Sequence, residues 1–344
     1  MIYVGMDISS KDFVIYAVDG RKKVKFKGTI EPTKAGLKKL FKDLGPEQKL
    51  AVFEAGNQMR WIADCLNQIK NVVIHVVHPN EVKWITQSKK KTDKVDAKKL
   101  AELARGDHLP RKVHVVTGEM RELRDLISAR EQLLSKRVSL LNSLRGYLKQ
   151  AGVKLGEKFF QRKDWEFMLM SCELPQHLRI ILGTMMTAIK EIQVAENHLL
   201  EQIYSIKDKR IELVESIPCI GKLSARVIVS AIDDVKRFDN KKSVARYSAL
   251  TPSIYQSVDV TNMGKINRDG RLEVRRAMLQ CAHTITRTKN LESKPLREFF
   301  ERISERRGKK KAVVALAKKL VIVAYGVLKS GNTYDPRQLI PNAA

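Results

Sequence analysis

Residues 2–105 alternate apolar runs with amphipathic stretches in one order, and that order limits the fold more than any other feature of the chain. Residues 2–8, 12–18 and 22–30 read as three strands, with Asp19-Gly20 turning the chain between the last two. At 33–43 a short amphipathic stretch puts Leu37, Leu40 and Phe41 on one helical face. A strand at 49–54, a helix near 57–69, a strand at 72–77 and a helix from about 93 to 105 follow. The spacing predicts an α/β unit of order βββαβαβα.

Four carboxylates stand at particular places in that order. Asp7 lies inside Ile2-Tyr3-Val4-Gly5-Met6-Asp7-Ile8, and Glu54 closes Leu50-Ala51-Val52-Phe53-Glu54. Asp93 and Asp96 open the last helix, Thr92-Asp93-Lys94-Val95-Asp96-Ala97. Burying an unpaired anion is costly, and strands disfavour Asp. Divalent cations held against phosphate would supply a reason for both. Asp93 and Asp96 taken alone also read as ordinary helix capping. Being three apart, they project from one helix face. Oxygen-only ligands suit Mg²⁺, which makes Asp7, Glu54, Asp93 and Asp96 the candidate metal and catalytic residues. The flank of Lys83, Lys89, Lys90, Lys91, Lys94, Lys98 and Lys99 would draw in a phosphate backbone, or form a solvated basic loop.

The charge balance names the partner class. Among 344 residues, 65 Lys+Arg face 38 Asp+Glu, a net charge of +27. Such an excess costs self-repulsion that nucleic acid would relieve, an anionic membrane surface being the rival. Cys65, Cys172, Cys219 and Cys281 lack metal-ligand spacing and imply neither zinc nor a disulfide framework. A strand-like run already at residue 2 argues against a signal peptide, and Ala312 to Leu328 is too short, with Lys318 and Lys319 inside it, to span a bilayer. The expectation is a cytoplasmic protein, nucleoid-associated when bound to DNA.

The length suggests more than one domain. Apolar pairs recur every seven residues over 120–150, and a second long helix is expected at about 178–206. The two read as an antiparallel hairpin within the chain or as a dimerising coiled coil. Residues 151–177 read as irregular. From about 211, Ser216-Ile217-Pro218-Cys219-Ile220-Gly221 before an apolar helix resembles a helix-hairpin-helix, with Gly221 and Lys222 offered to a phosphate; a plain helix-turn-helix core element stays open. The expected division is 1–110 for the metal-binding domain, 111–210 for a helical dimerisation region and 211–344 for a mainly α C-terminal domain. A second polar cluster runs from Arg246 through Thr251-Pro252-Ser253-Ile254-Tyr255-Gln256-Ser257, then a polar loop with Gly264 and Gly270, to Arg268, Arg271, Arg275 and Arg276. Those arginines suit phosphate or a solvated helix face. No His or Asp stands at the spacing of a hydrolase triad.

The N-terminal order resembles the RNase H-like (RuvC-like) fold, in which the first and fourth strands are neighbours. The whole chain resembles the DEDD transposases of the insertion-sequence one-ten family, which includes the one-triple-one-one relatives. The resemblance rests on Gly5-Met6-Asp7-Ile8-Ser9, Phe53-Glu54-Ala55-Gly56, Lys91 to Ala97, the Ile217 to Ala282 block, and Arg307-Gly308-Lys309-Lys310-Lys311-Ala312. It implies that Asp7, Glu54, Asp93 and Asp96 bind Mg²⁺ beside the scissile phosphate. It implies that Ser257, five residues after Pro252, attacks the phosphodiester and forms a covalent link to DNA. Val258 follows Ser257 where the family usually has glycine, and Ser253 is the nearest other hydroxyl; Cys219 likewise stands where the helix-hairpin-helix turn often has glycine. The partners implied are double-stranded DNA, a non-coding bridge RNA that guides by base pairing, and further copies of the chain as dimer and tetramer. An alternative is a structure-selective endonuclease with the same tetrad and metal-activated water. A third reading is a non-catalytic nucleic-acid-binding protein.

Overall fold

Strand alternation sorts the N-terminal residues between two faces of one sheet. The structure, a computed structural model, describes the backbone of residues 1–86, 93–257 and 260–339, and the side chains of residues 1–82, 95–253 and 264–337. Its two compact units are Met1–Val115 and Val116–Ala344.

In the first unit the order is β1 (Ile2–Ile8), β2 (Phe13–Asp19), β3 (Val24–Ile30), α1 (Lys34–Asp43), β4 (Lys49–Glu54), α2 (Met59–Asn67), β5 (Val72–Val77), α3 (Pro79–Thr86) and α4 (Asp93–Arg105). The expected order stands, with α3 added before the last helix. The sheet is mixed, in the order β3-β2-β1-β4-β5; β1–β2 and β2–β3 are antiparallel, β1–β4 and β4–β5 parallel. Val4, Met6, Phe13, Ile15, Ala51 and Phe53 turn to one face and pack on Leu37, Leu40 and Phe41 of α1 and Ile62 and Leu66 of α2. Tyr3, Val14, Tyr16, Val18 and Val52 turn to the other face, where they meet Ala97, Leu100, Ala101 and Ala104 of α4. Beyond α4 the chain returns along β5: Val113 N–H donates to Val76 O at 2.8 Å, and His75 Nε2 lies 2.9 Å from Pro110 O.

The second unit begins with α5 (Gly118–Gln150), followed by a 3-10 turn at Phe159–Gln161, α6 (Trp165–Met170) and α7 (Gln176–Ser205). Met120, Leu123 and Ile127 of α5 share one cluster with Ile203, while Leu144 and Leu148 share another with Leu182, Met186 and Ile189. That crossed pairing makes α5 and α7 an antiparallel hairpin within one chain. Between the two clusters Arg137 forks onto the buried Glu196 carboxylate at 2.7 and 3.1 Å. The expectation of an irregular 151–177 is corrected in part: Phe159, Phe160, Trp165 and Leu169 fold over the hairpin tip, their rings edge to face.

Helices α8 (Lys209–Glu215), α9 (Lys222–Ile232) and α10 (Lys241–Tyr247) follow, then β6 (Pro252–Ser257), β7 (Val260–Ile266), α11 (Leu272–Ile285), α12 (Lys294–Arg307) and α13 (Lys309–Ser330). Residues of α8, α9, α11 and α13 build one core with the base of the hairpin. The carbonyls at the C-terminus of α9 have no partners within the helix, and three arginines take them. Arg124 donates to Ser230 O and Ala231 O, Arg237 to Ala231 O and Ile232 O, and Arg210 to Asp233 O. Burial lowers the Arg124 guanidinium to about 10, which leaves it cationic at neutral pH and suited to the negative end of the helix dipole. Among the described residues no helix is long and apolar enough to cross a membrane.

Candidate active site

The register of β1 on β4 sets Met6 beside Phe53, so Asp7 and Glu54 are the next residues at the ends of two adjacent parallel strands. By alternation Asp7 shares a face with Tyr3 and Gly5, and Glu54 with Leu50 and Val52. This is the α4 face. The helix approaches β1 closely there: a Cβ on Gly5 would sit 2.0 Å from Ala97 O and 2.6 Å from Ala101 N. Ala104 and Leu100 group with Tyr3 and Leu50, nearer the starts of the strands. Going back along α4 therefore leads toward the strand ends that carry the acids. The sheet-facing stripe of 104, 101, 100 and 97 continues at the same spacing through Asp96 and Asp93.

Asp7 is half-buried and Glu54 exposed. The desolvation argument from sequence thus applies in part to Asp7 and not to Glu54, which lies at the open end of its strand. Asp96 is half-exposed, with Oδ1 3.7 Å from Lys99 Nζ. For Asp93 the backbone position is described but not the side chain. Among the described residues no three acidic, His or Cys groups form a metal-binding cluster. The candidate donors Asp7, Glu54, Asp93 and Asp96 are oxygen-only, a set that fits a hard divalent cation. Nearby, Gln58 Nε2 donates to Ser9 O at 2.8 Å, tying the start of α2 to the end of β1. Of the basic flank, Lys98 Nζ stands 6.0 Å from the Tyr16 ring centroid. Lys89, Lys90 and Lys91 lie outside the described residues, as do the side chains of Lys83 and Lys94.

The other candidates belong to the second unit. Ser257 ends β6 and pairs with Val260, the closing pair of the β6–β7 hairpin; its side chain and Val258 lie outside the described residues. Reading the stretch after Ser257 as a polar loop is corrected over Val260–Ile266, which forms β7 and pairs antiparallel with β6. Ser253 is committed, its hydroxyl donating to Lys265 O at 3.0 Å across the hairpin. Arg268 is exposed near the hairpin base. Arg271 caps α11 with its Nε 2.5 Å from Glu273 Oε1, and Arg276 reaches Glu131 of α5 at 3.1 Å. Arg275 is half-buried. Two of these arginines therefore already have carboxylate partners.

Gly221 caps α9 and the exposed Lys222 begins it, after a turn in which Cys219 has φ +65°. That left-handed conformation costs about 1 kcal/mol in a residue with a Cβ. Cys219→Gly is expected to raise the thermal midpoint of the second unit by a few degrees, read by calorimetry. An unchanged or lower midpoint would show that Cys219 packing outweighs the backbone strain.

Two family models match the chain: a DEDD transposase model of IS110 over residues 4–153, and the transposase IS116/IS110/IS902 family over 211–297, together more than two thirds of its length. The first takes in every acidic candidate and the second takes in Ser257. The chain is 23% identical over 264 residues to the transposase for insertion sequence element IS1111A of Coxiella burnetii, covering 75% of this chain and 72% of that one. With a probable family 20 transposase of Pseudomonas aeruginosa it shares 22% identity over 339 residues, 97% of this chain and 98% of the other. A pilin gene-inverting protein of Moraxella bovis is 28% identical over 131 residues, 37% of this chain and 39% of its own. Matched in both of its units by models of one group of proteins, the chain belongs to the IS110 family of DEDD transposases.

Proposed function

We propose that the protein moves an insertion sequence by cutting and rejoining DNA through a covalent serine–DNA intermediate, with a RuvC-like unit holding Mg²⁺. The observation that supports this reading is that Asp7 and Glu54 end adjacent parallel strands whose face packs on α4, the helix that begins with Asp93 and Asp96. The sheet order, with β1 central and β4 beside it, supports an RNase H-like assignment. Asp7, Glu54, Asp93 and Asp96 would hold Mg²⁺, which when bound supplies charge that offsets the anionic phosphate oxygens.

The Ser257 hydroxyl oxygen forms a bond to phosphorus while the bond from phosphorus to one deoxyribose oxygen breaks. The proton leaves the serine, and the released sugar oxygen takes one up. A sugar hydroxyl from the other strand then attacks the phosphoserine, restoring a phosphodiester and the free serine. Bond energy is kept throughout, so no high-energy cofactor is consumed. The commitment of Ser253 to Lys265 O favours Ser257 as the nucleophile of this hairpin. The net charge of +27 suits the two nucleic acids of this reading, the DNA ends and a guiding RNA from the element. In it the chain acts as a dimer and then a tetramer.

Purified protein, Mg²⁺, the element's flanking RNA and end-labelled donor DNA test the proposal on denaturing gels run before and after protease. Wild type is expected to give a protease-sensitive, protein-linked DNA band. Asp7→Ala and Ser257→Ala should each reduce it at least about 10³-fold. Cleavage that persists in Ser257→Ala without an adduct would instead establish a metal-dependent endonuclease using water.

A further inference from the structure

Two cations from two helices flank one aromatic ring in the second unit, and a third helix packed beside them begins with another lysine. Arg302 of α12 lies with its guanidinium carbon 5.7 Å from the Phe299 ring centroid, and Lys319 of α13 with its Nζ at 5.9 Å. Burial lowers the Lys319 pKa, and the charges of Lys241, at the start of α10, and Arg302 lower it further. The ring, itself packed against the core, gives the cations a partly apolar bed. Neither α10 nor α13 contains a single Asp or Glu, and although α12 carries Glu298, Glu301 and Glu305, no ion pair of Lys241, Arg302 or Lys319 occurs among the described residues. Further basic residues follow at Arg306, Arg307 and Lys309, all exposed, interspersed with the exposed Glu301 and Glu305. Like charges held together without a directly paired carboxylate destabilise the free protein, and a polyanion would reverse the sign of that contribution.

We propose that Lys241, Arg302 and Lys319 form a contact surface for the phosphate backbone of double-stranded DNA. A duplex fits better than a single strand, because single-strand sites offer exposed rings for base stacking. Here Phe299 is half-buried against the core and flanked by Arg302 and Lys319. The surface rests on DNA being the partner, but needs neither the acidic tetrad nor Ser257, so the two proposals fail separately.

The test uses the full chain in EDTA with a fluorescein-labelled duplex of arbitrary sequence, its anisotropy followed over a salt series. Changing Lys241, Arg302 and Lys319 together to Gln is expected to reduce the slope of log affinity against log salt by about two to three. The same variant should melt at a higher temperature than wild type. Arg302→Gln alone, an exposed change that leaves the core intact, should reduce the slope by about one. A wild-type slope in both variants would overturn the proposal, and a lower melting temperature would overturn its like-charge basis. Loss confined to an RNA duplex of the same length would overturn the assignment to DNA.

Discussion

Gly5→Ala is expected to unseat α4 and abolish DNA cleavage and strand transfer while leaving all four acidic residues in the chain. The added methyl would meet Ala97 O at 2.0 Å and Ala101 N at 2.6 Å. Both are backbone atoms of a regular helix, so no rotamer change relieves the clash and trimming Ala97 or Ala101 gains nothing. Either the helix withdraws from β1 or the strand bends, at a cost of about 3 kcal/mol. The acids of α4 lie at positions continuous with Ala97, so they move with it. Hydrogen exchange should show α4 and β1 losing protection together, while α5 and α7 keep theirs. A Gly5→Ala protein with wild-type protection and full activity would mean that α4 does not set the position of its acids.

Arg137→Ala should destabilise the α5–α7 hairpin by about 3 kcal/mol, because it strands a carboxylate that is only 4% exposed. The geometry is bidentate, with both guanidinium contacts made across the two helices. Removing one partner of such a pair costs more than the pair itself contributes. Arg137→Leu with Glu196→Leu is therefore expected to restore stability to the wild-type value or above it. Urea unfolding followed by hydrogen exchange in α5 and α7 measures both. If the double variant is as unstable as Arg137→Ala, the pair itself, and not the orphaned charge, holds the helices together.

Much of the first unit was legible because its signals are local. Apolar runs bounded by turns marked β1 to β5 within two residues, and the stripe of Leu37, Leu40 and Phe41 marked α1. The adjacency of β1 and β4 came from fold resemblance, since pairing between distant strands leaves no mark in either one. The missed elements are short or depend on tertiary contacts. Helix α3 has eight residues, and α6 is held by the hairpin tip beneath it. The β6–β7 hairpin was hidden by its polar residues and glycines. The turn at Cys219 was visible as a place for glycine, but its positive φ was not, because a non-glycine residue argues against one. Arg302 and Lys319 are brought to one ring from two separate helices, a proximity that exists only in the fold.

The return of the chain along β5 has a consequence for dissecting this protein. A sheet in which β3 and β5 are outermost has two flanks able to recruit a foreign strand. Lys25 and Lys27 guard the first with exposed charge. The second relies on the segment that reaches Val113, where a main-chain hydrogen bond occupies Val76 O. A fragment ending at residue 110 would keep every acidic residue of the first unit yet bare an apolar flank, inviting two fragments to join edge to edge. A fragment ending at Val115 carries its own selvedge.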